Sequence, residues 1–462
     1  MMAKYKAYPE YKDSGVELLG EVPLTWRVFK LKFGLSEPLV YGANEAALDD
    51  NPDNPRYIRI TDMNPDGTLR NDTFKSLPKV ISEPYMLIDG DILLARSGAT
   101  VGKSFYYKSI FGPSCFAGYL IRARFNGDKI VPRLAYWFFQ SSIYWQYVSG
   151  SQIQATIQNV SAEKYSDLYL SAPLGYAEQA LIADFLDHET AKIDNLIEKQ
   201  QQLIELLKEK RQAVVSHAVT KGLNPDVPMK DSGVEWLGDV PKHWDVCAIK
   251  HIVSTPITDG PHETPDFIDD GIPFISAEAI SSGVIDFDKK RACISIKDHK
   301  RFSKKYSPQF NDIYMVKSGA TTGITAIVET YDDFNIWSPL AVIRCNDYSN
   351  PYFVINFMRS KPFQTAIELN WSYGTQQNIG MGVIGNLHIA RPPVSEAIKI
   401  ATHLRAKCSK FDELIDIAMM QISIMQERRT ALISAAVTGK IDVRDWVAPD
   451  TQNVEEPQEA TA

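Results

Sequence analysis

The stretch of residues 177–218, AEQALIADFLDHETAKIDNLIEKQQQLIELLKEKRQAVVSHA, decides the fold, and it contains neither glycine nor proline. Alternating four- and three-residue steps from Ile182 reach ten positions, of which seven are apolar. This spacing predicts one long helix whose apolar face packs along a partner helix. At 1.5 Å per residue the helix would be roughly 60 Å long, more than the width of a small domain. The residues predicted to pair with the partner helix are Ile182, Leu186, Ile193, Leu196, Leu203 and Leu207.

The partner helix is predicted in the same chain, because the pattern returns after a shift of 218 residues. Without any gap, Asp194 matches Asp412 and Arg211 matches Arg429. Two surface helices on two separate domains would explain the length and the continuous apolar face poorly, so we expect the two helices to pair with each other. The pairing residues predicted on the second helix are Ile400, Leu404, Phe411, Leu414, Met425 and Leu432.

Two further segments repeat on either side of these helices. Residues 12–32, KDSGVELLGEVPLTWRVFKLK, recur as residues 230–250, KDSGVEWLGDVPKHWDVCAIK, with thirteen identities in 21 positions. We predict a docking turn in each copy, with Trp26 and Trp244 buried. A third pair, AVTKGLNPDVP and AVTGKIDV, follows the two helices. Because the first of these leads into the second docking turn, the repeat is cyclic, and the two ends of the chain are predicted to lie close together.

Between the docking turns and the helices lie two divergent bodies, residues 27–175 and 245–394. Both have short alternating or apolar runs broken by Asn, Asp, Gly and Pro, which predicts many short strands. The predicted fold class is α/β (α+β), with two globular domains joined by two long helices that form a coiled coil in a pseudo-two-fold repeat. The predicted divisions are a first domain with its docking segment at 1–175, the first helix at 176–218, a connector with the second docking segment at 219–244, the second domain at 245–394, the second helix at 395–436 and a terminal segment with a polar tail at 437–462.

Composition indicates packed domains and does not exclude a nucleic-acid partner. The 462 residues are 44% hydrophobic and 11% aromatic, and no apolar run approaches the ~20 residues of a membrane span, so no membrane partner is expected. The five cysteines are scattered and form no C-x-x-C pair, which favours reduced thiols, a cytoplasmic location and no zinc site. The net charge of −8 describes only the average field, because acidic residues concentrate in a few segments.

One glycine-rich loop occurs in both bodies, as RSGATVGK from Arg96 and as KSGATTGI from Lys317. It resembles a phosphate-binding P-loop, but the second copy has Ile324 where the first has Lys103. A nucleotide site that depends on this lysine would not recur without it, so nucleotide binding is rejected. No catalytic residue and no metal site is predicted.

The same loops suit DNA binding. Each places a cation, hydroxyls and flexible glycines together, so that backbone N–H groups can approach phosphates. Nearby Gln and Asn side chains carry amides that pair with adenine edges, and Arg59 and Arg96 could pair with guanine. For any single residue, a turn held by its own hydrogen bonds is the simpler explanation, and only the recurrence of the set favours function. The predicted DNA-binding residues are Arg59, Arg96, Ser97, Thr100, Lys103, Gln152, Gln154, Gln158, Lys317, Ser318, Thr321, Thr322, Gln376, Gln377 and Asn378.

Several segments together resemble the specificity (S) subunits of type I restriction–modification enzymes, over essentially the whole chain. They are the two docking segments, YIRITDM at 57–63, DGPHETP at 259–265, the glycine-rich loop and the helix sequence itself. The resemblance adds Thr61, His262 and Thr264 to the candidate DNA-binding residues. The second helix departs most from the family pattern, because IAMMQISIMQERR replaces the charged EKQQQLIELLKEKR, so we expect an asymmetric partner surface.

The resemblance implies two target-recognition domains, each reading one half of a split, asymmetric site in double-stranded DNA. Two antiparallel helices would hold these domains apart. Two methyltransferase subunits and the restriction/translocase subunits would assemble on the chain. Those partners, and not this chain, would bind S-adenosylmethionine, ATP and Mg²⁺. The chain itself is then expected to be a non-catalytic subunit.

Two other functions stay open at this point. A single-chain restriction enzyme would place nuclease chemistry at Asp266, Asp288 and Lys290, and would cut DNA with Mg²⁺ alone. A coiled-coil adaptor without a DNA role would leave DNA binding by the methyltransferase complex unchanged when it is removed.

Overall fold

The computed structural model describes residues 5–64, 66–151, 159–373 and 377–448. The chain divides into two compact units, Met1–Gln200 with Met420–Ala462, called the first unit, and Gln201–Met419, called the second unit. Each of two long helices contributes one part to each unit. Among the described residues, no helix is both long and apolar enough to cross a membrane.

The strands of the first unit are short, as expected from the broken apolar runs. Strands β4, β9, β6 and β7 form an antiparallel four-stranded sheet, and β6 and β9 are buried throughout. The other strands pair two by two, β1 with β2, β3 with β10 and, in parallel, β5 with β8. The bounds are β1 (Tyr11–Asp13), β2 (Glu21–Pro23), β3 (Trp26–Lys30), β4 (Val40–Tyr41), β5 (Arg56–Ile58), β6 (Ile92–Ala95), β7 (Ser104–Tyr106), β8 (Ser114–Phe116), β9 (Leu120–Ala123) and β10 (Tyr169–Pro173).

Short helices cover this sheet before the first long helix begins. They begin at favourable residues: Pro132 needs no N–H partner in the first turn of α2, and the Ser141 hydroxyl accepts a hydrogen bond from Tyr144 N–H at the start of α3. The α-helices are α1 (Lys79–Ser82), α2 (Pro132–Phe138), α3 (Ser142–Gly150), α4 (Ala162–Ser166) and α5 (Tyr176–Lys221). Single 3₁₀ turns lie at Leu31–Phe33, Ile60–Asp62, Glu83–Tyr85 and Ser109–Phe111.

The second unit repeats this plan and extends one strand pair into a second four-stranded sheet. Sheet β14-β21-β18-β19 corresponds to β4-β9-β6-β7. The parallel pair β16–β20 corresponds to β5–β8, and β17 and β15 extend it to four strands. Pairs β11–β12, β13–β24 and β22–β23 complete the strands. The strand bounds are β11 (Met229–Asp231), β12 (Asp239–Pro241), β13 (Asp245–Ala248), β14 (Thr258–Asp259), β15 (Phe267–Ile268), β16 (Ile272–Ile275), β17 (Ala292–Ile294), β18 (Ile313–Val316), β19 (Thr325–Ile327), β20 (Asn335–Ile336), β21 (Leu340–Ile343), β22 (Ser372–Tyr373), β23 (Gln377–Asn378) and β24 (His388–Arg391). The helices are α6 (Ala277–Ile280), α7 (Ile296–Phe302), α8 (Pro351–Met358), α9 (Lys361–Asn370), α10 (Met381–Asn386) and α11 (Val394–Val437), with 3₁₀ turns at Ile249–His251 and Phe287–Lys289.

The two long helices, α5 and α11, span 46 and 44 residues and confirm the element predicted from the opening stretch. Helix α5 continues three residues beyond the predicted end, and α11 extends one residue further at each end. Gly222 and Gly439 lie just after the two helices with φ of +80° and +70°, a conformation that favours glycine and stops a helix.

Helices α5 and α11 pair in an antiparallel manner, and each unit contains part of the pairing. In the first unit the Asp194 carboxylate accepts hydrogen bonds of 2.8 and 3.1 Å from the Arg429 guanidinium. In the second unit Arg211 Nε lies 3.3 Å from Asp412 Oδ1. The repeat relates Asp194 to Asp412 and Arg211 to Arg429, so the two ion pairs are equivalent, and the predicted pairing is confirmed.

In parts of these helices the buried residues lie one position away from the residues predicted to be buried. Leu196, Leu203 and Leu414 are 50%, 42% and 48% exposed, so the predicted pairing is wrong for these three. Ile197 and Ile204 turn inward instead. The reason is that an α-helix has 3.6 residues per turn, so its buried face drifts against a strict seven-residue count. The other predicted positions are buried or half-buried, namely Ile182, Leu186, Ile193, Leu207, Ile400, Leu404, Phe411, Met425 and Leu432.

The docking turns are built alike in the two units. Trp26 and Trp244 are 1% and 0% exposed, which confirms their predicted burial. The beginning of the chain meets its end within the first unit, where the Tyr11 hydroxyl donates to the Gly439 carbonyl at 2.9 Å. The predicted closeness of the two ends is therefore confirmed for the described residues.

A pair of equivalent contacts supports the cyclic repeat. In the first unit Lys440 Nζ donates to the carbonyl oxygen of Glu21, at 2.7 Å. In the second unit Lys221 Nζ donates to the carbonyl oxygen of Asp239, which is the repeat counterpart of Glu21. One junction is covalent and the other is made by contacts between the chain's two ends. In both, a lysine near the end of the long helix donates to the equivalent backbone carbonyl, although the two lysines differ by one position in the repeat.

Candidate nucleic-acid interface

The glycine-rich loop connects two antiparallel strands of a four-stranded sheet in each unit. It runs through residues 96–103 between β6 and β7, and through residues 317–324 between β18 and β19. Gly98 and Gly319 have φ of +79° and +97°, which favours glycine at this bend. A P-loop leads from a strand into a helix, so this strand-to-strand connection agrees with the rejection of a nucleotide site.

Each loop pairs with the segment that carries the amide side chains. Ser97 forms a β-bridge with Asn159 in the first unit, and Ser318 forms the matching bridge with Asn378 in the second. The Gly319 N–H also donates to the Gln377 carbonyl at 3.0 Å. Two motifs that are distant in sequence therefore meet in both units. Of the predicted amides, Gln152, Gln154, Gln158 and Gln376 lie outside the described residues.

In the first unit an aromatic ring holds the first cation of the loop. The Arg96 guanidinium carbon lies 4.8 Å from the centre of the Tyr41 ring, close enough for a cation–π interaction. The Tyr41 hydroxyl accepts a hydrogen bond of 3.0 Å from the Ala162 N–H, which fixes the ring. Within the described residues the Arg96 guanidinium has no carboxylate partner. A guanidinium held by stacking on a ring can still donate from its planar N–H groups to a phosphate or a base.

In the second unit a carboxylate takes the place of that ring. Asp259, which is 1% exposed, has Oδ2 3.1 Å from Lys317 Nζ and Oδ1 2.6 Å from Lys305 Nζ. His262 Nε2 lies 3.0 Å from the same Oδ2, while most of its ring is exposed. Burial would raise the pKa of the Asp259 carboxyl, but the ammonium groups of Lys305 and Lys317 lower it below its usual value. Asp259 therefore stays charged and gathers three cationic or basic groups beside the loop.

Arg59 is less open than the sequence suggested. Its Nε and Nη2 donate to Asp62 at 3.0 and 2.8 Å, and Nη2 also donates to the Thr73 carbonyl at 2.6 Å. Asp62 is only 1% exposed, so this fork is a fixed part of the turn. The edge of Arg59 that a guanine would need is already occupied. Thr61, in the same turn, is exposed.

Other predicted residues divide between internal contacts and exposed positions. Lys103 Nζ donates to the Met63 carbonyl at 2.9 Å, and Thr322 Oγ1 donates to the Gly319 carbonyl at 2.7 Å. These two side chains agree with the simpler explanation, a turn held by its own hydrogen bonds. Thr100 and Thr264 are exposed, whereas Ser318 and Thr321 are half-buried.

Three residues of this arrangement were missed by sequence reasoning. Asp259 had a signal, because it opens the segment DGPHETP that supplied His262 and Thr264. Tyr41 and Lys305 had none, since Tyr41 reaches Arg96, and Lys305 reaches Asp259, only through the fold. In the described part of the chain, no group of three or more His, Cys, Asp or Glu side chains could hold a metal ion.

Comparisons of sequence relate the chain to proteins of one kind. No protein-family model matches it. It is 22% identical over 437 residues to the type I restriction enzyme EcoBI specificity subunit of Escherichia coli, covering 91% of this chain and 87% of that protein. It is 20% identical over 404 residues to the EcoKI specificity subunit of Escherichia coli strain K12, covering 84% and 82%. A match of 30% over 166 residues relates 35% of the chain to 35% of the StySPI specificity subunit of Salmonella potsdam.

Two solved structures share the fold. A chain from a type I R-M system, studied for complex assembly and conformational transition, has a TM-score of 0.70 at 13% identity and covers 91% of this chain and 99% of its own. The HsdS subunit from Thermoanaerobacter tengcongensis has a TM-score of 0.51 at 13% identity, with 91% and 98% covered. The chain is thus similar to type I restriction enzyme specificity subunits in sequence, and to an HsdS structure in fold.

Proposed function

We propose that this chain, as a relative of the type I specificity subunits, is the DNA sequence-recognition subunit of a type I restriction–modification complex. Each unit carries a recognition body that reads one half of a bipartite, asymmetric site in double-stranded DNA. The paired helices α5 and α11 set the spacing of the half-sites and dock the methyltransferase subunits. The chain itself is not catalytic.

The observation that carries this proposal is the recurrence of one loop with two different anchors. In both units the glycine-rich loop forms a β-bridge with an asparagine, Asn159 or Asn378, which supports a site that combines groups suited to phosphates with an amide suited to base edges. The first cation of the loop is Arg96 on Tyr41 in one unit and Lys317 on Asp259 in the other. Two domains that read different half-sites need loops with the same backbone but different side chains, and the two units have such loops.

The partners follow from the same proposal. Methyltransferase subunits, two in number, assemble on the helices, and restriction/translocase subunits join them. These partners supply S-adenosylmethionine, ATP and Mg²⁺, and this chain binds none of the three. The recognition complex is cytoplasmic, where its DNA target is found.

Coexpression with the methyltransferase subunit, followed by sequencing of methylated bases in the host genome, tests the main claim. We expect one asymmetric motif with two separated halves, and no such motif when this chain is omitted. Methylation of the same sites without this chain would favour the adaptor reading and contradict ours.

A second assay addresses catalysis. We expect the purified chain to incorporate no labelled methyl group into DNA from S-adenosylmethionine, and to leave DNA intact in the presence of Mg²⁺. Cleavage with Mg²⁺ alone that is lost in Asp266→Asn, Asp288→Asn or Lys290→Ala would support a single-chain restriction enzyme instead.

A further inference from the structure

A cavity of about 730 Å³ lies in the second unit, between α8, β19 and the beginning of α11. Apolar side chains such as Ile327 and Ile355 form part of its wall, and Asn356 of α8 also lines it. Arg211 and Arg405, from α5 and α11, also line it. The cavity is lined by none of the residues of the glycine-rich loop itself, and nothing in the DNA-reading proposal uses it.

The repeat explains why this cavity exists. Helices α2 and α8 are counterparts, and both begin at proline. The helix that follows each of them begins with the same contact to a long helix: Ser142 N–H donates to Ser434 Oγ in the first unit, and Lys361 N–H donates to Ser216 Oγ in the second. Counted from the prolines, the first unit has aromatic residues where the second has smaller, non-aromatic ones. The corresponding pairs are Trp137 and Asn356, Tyr136 and Ile355, and, on the matching strands, Tyr106 and Ile327.

In the first unit Trp137 fills this position completely. It is 4% exposed, and its Nε1 donates to Asp187 Oδ1 at 2.7 Å. The Arg429 guanidinium carbon lies 5.8 Å from the ring centre of the same tryptophan. The first unit therefore supplies its own aromatic ring, its acceptor and its stacking cation.

The second unit keeps the cation but has lost the ring. Arg211, the counterpart of Arg429, faces the cavity beside Asp412, and Asn356 leaves the ring position open. The counterpart of Asp187 is Arg405, so a positive charge replaces the negative one. Arg405 is exposed, and in the described part of the chain it forms no ion pair. The carboxylates of Glu329 and Asp412 also line the cavity, but Arg405 stands where the first unit has the acceptor Asp187. A ligand that fits this position therefore brings an aromatic ring and an acidic group.

We propose that the cavity receives an aromatic side chain flanked by a carboxylate, presented by one methyltransferase subunit. The ring occupies the position that Trp137 holds in the first unit and stacks on Arg211, and the carboxylate pairs with Arg405. This proposal rests on the proposed function, because it names the docking contact of a partner which that function requires. It also makes the two docking surfaces unequal, since only the second unit accepts the anchor.

A tryptophan introduced at position 356 should occupy the cavity and so exclude the aromatic side chain of the methyltransferase subunit. Asn356→Trp restores the residue of the first unit, and we expect it to lower the affinity of the full chain for the methyltransferase subunit by about tenfold or more, as loss of a buried aromatic anchor does. Glu368→Trp, which adds an exposed tryptophan to α9 in the same unit, is the matched control and should leave the affinity unchanged. Calorimetric titration of each variant with the purified subunit measures this.

A second measurement uses the wild-type chain, so it does not depend on whether the Asn356→Trp variant folds normally. The Cys408 thiol lines the cavity, whereas Cys247 on β13 does not, and burial raises the pKa of both thiols. In the wild-type chain we expect the methyltransferase subunit to slow iodoacetamide alkylation of Cys408 by about tenfold or more, relative to Cys247, as a filled interface excludes solvent.

The outcomes separate the two proposals. Absence of any binding between the subunit and the wild-type chain would overturn the proposed function, and this contact with it. Normal binding with Cys408 alkylated at its free rate would overturn the anchor alone. Asn356→Trp that raises Tm while binding normally would do the same, because the cavity would then be a packing defect.

Discussion

The two glycine-rich loops have the same backbone but are held by opposite chemistry. Tyr41 lies opposite Ile121 on the edge strand of one sheet, and Asp259 lies opposite Ala341 on the edge strand of the corresponding sheet. The two residues are therefore structural counterparts, although one is an aromatic ring and the other a carboxylate. Arg96 stacks on the first, whereas Lys317 forms an ion pair with the second.

Under the proposed function, this difference explains how one scaffold can carry two readers. The loop, its glycines and its bridge to the amide segment are conserved between the units, so the phosphate path can stay the same. What varies is the side chain that orients the loop's first cation. A guanidinium held by stacking keeps its planar fork for bidentate contacts, whereas an ammonium held by a carboxylate acts as a point charge. Specificity can then change through the anchor without rebuilding the loop.

The largest effect should come from removing one loop's contacts altogether. Replacing Arg96, Ser97 and Thr100 with alanine should cost about 1–3 kcal/mol for each lost phosphate or base contact. Lys103 is left in place because it is bonded to the Met63 carbonyl. Competition binding of the assembled complex to DNA mutated in either half-site measures the outcome. We expect weaker and relaxed reading of one half-site only.

The matched control is the second loop, altered at Lys317, Ser318 and Thr321. It should relax the other half-site and leave the first intact. If either triple variant relaxed both half-sites equally, the two loops would not be separate readers, and the comparison between them would lose its meaning.

The next effect concerns the carboxylate anchor. Asp259→Asn keeps the shape but leaves Lys317 and Lys305 without their counter-charge, at a cost of about 1–3 kcal/mol, as for a buried group that loses its partner. Binding to the half-site read by the second unit should fall by about tenfold, with the other half-site unaffected. Equal weakening of both half-sites would indicate general unfolding rather than a positioning role for Asp259.

The same anchor should give the chain a pH dependence. The pKa of Asp259 is lower in the folded chain than its usual value of 3.8, so its stabilisation is complete above that value and is lost as the pH falls through the folded pKa. Between about pH 5 and pH 3, Tm of the wild-type chain should therefore fall more steeply than Tm of Asp259→Asn. Parallel curves would mean that this carboxyl contributes nothing through its charge.

Sequence reasoning reached the long helices, their pairing and the repeat because these depend on local propensity and on internal comparison. It located the ends of α5 and α11 within three residues. It placed Leu196 rather than Ile197 on the buried face, because a strict seven-residue count ignores the drift of a 3.6-residue turn. The pattern thus indicates that two helices pair, but packing decides which residues face the partner helix at each point along their length.

For the site, the loop was recognisable but its surroundings were not. Arg59 looked available to DNA, yet the 3₁₀ turn brings Asp62 directly under its guanidinium. Lys305 is 46 residues from Asp259 and reaches it only when the fold is complete. Contacts of this kind have no periodicity, so no local pattern could predict them.

A smaller effect is expected from the aromatic anchor of the first unit. Tyr41→Ala removes the ring under Arg96, and an exposed cation–π contact contributes about 0.5–1 kcal/mol. The half-site read by the first unit should weaken by only two- to fivefold or so, and with no added pH dependence near pH 4. Tyr41→Phe, which keeps the ring and loses the hydroxyl bonded to Ala162, should retain the stacking contribution. A larger loss in the Phe variant than in the Ala variant would assign the role to the hydroxyl.

The smallest effect distinguishes the two interhelical ion pairs. Partly exposed pairs of this kind contribute about 0.2–1 kcal/mol, so Arg211→Met, which breaks the pair with Asp412, should lower Tm only slightly. Arg429→Met should cost more, because Arg429 makes two hydrogen bonds to Asp194 and also lies over Trp137. Thermal unfolding of both variants at low and high salt separates the contributions: the salt-dependent part should be similar for the two, and the excess for Arg429→Met should persist in high salt. Equal losses at all salt concentrations would show that stacking on Trp137 adds nothing, and that the two ends of the helix pair differ less than their sequences imply.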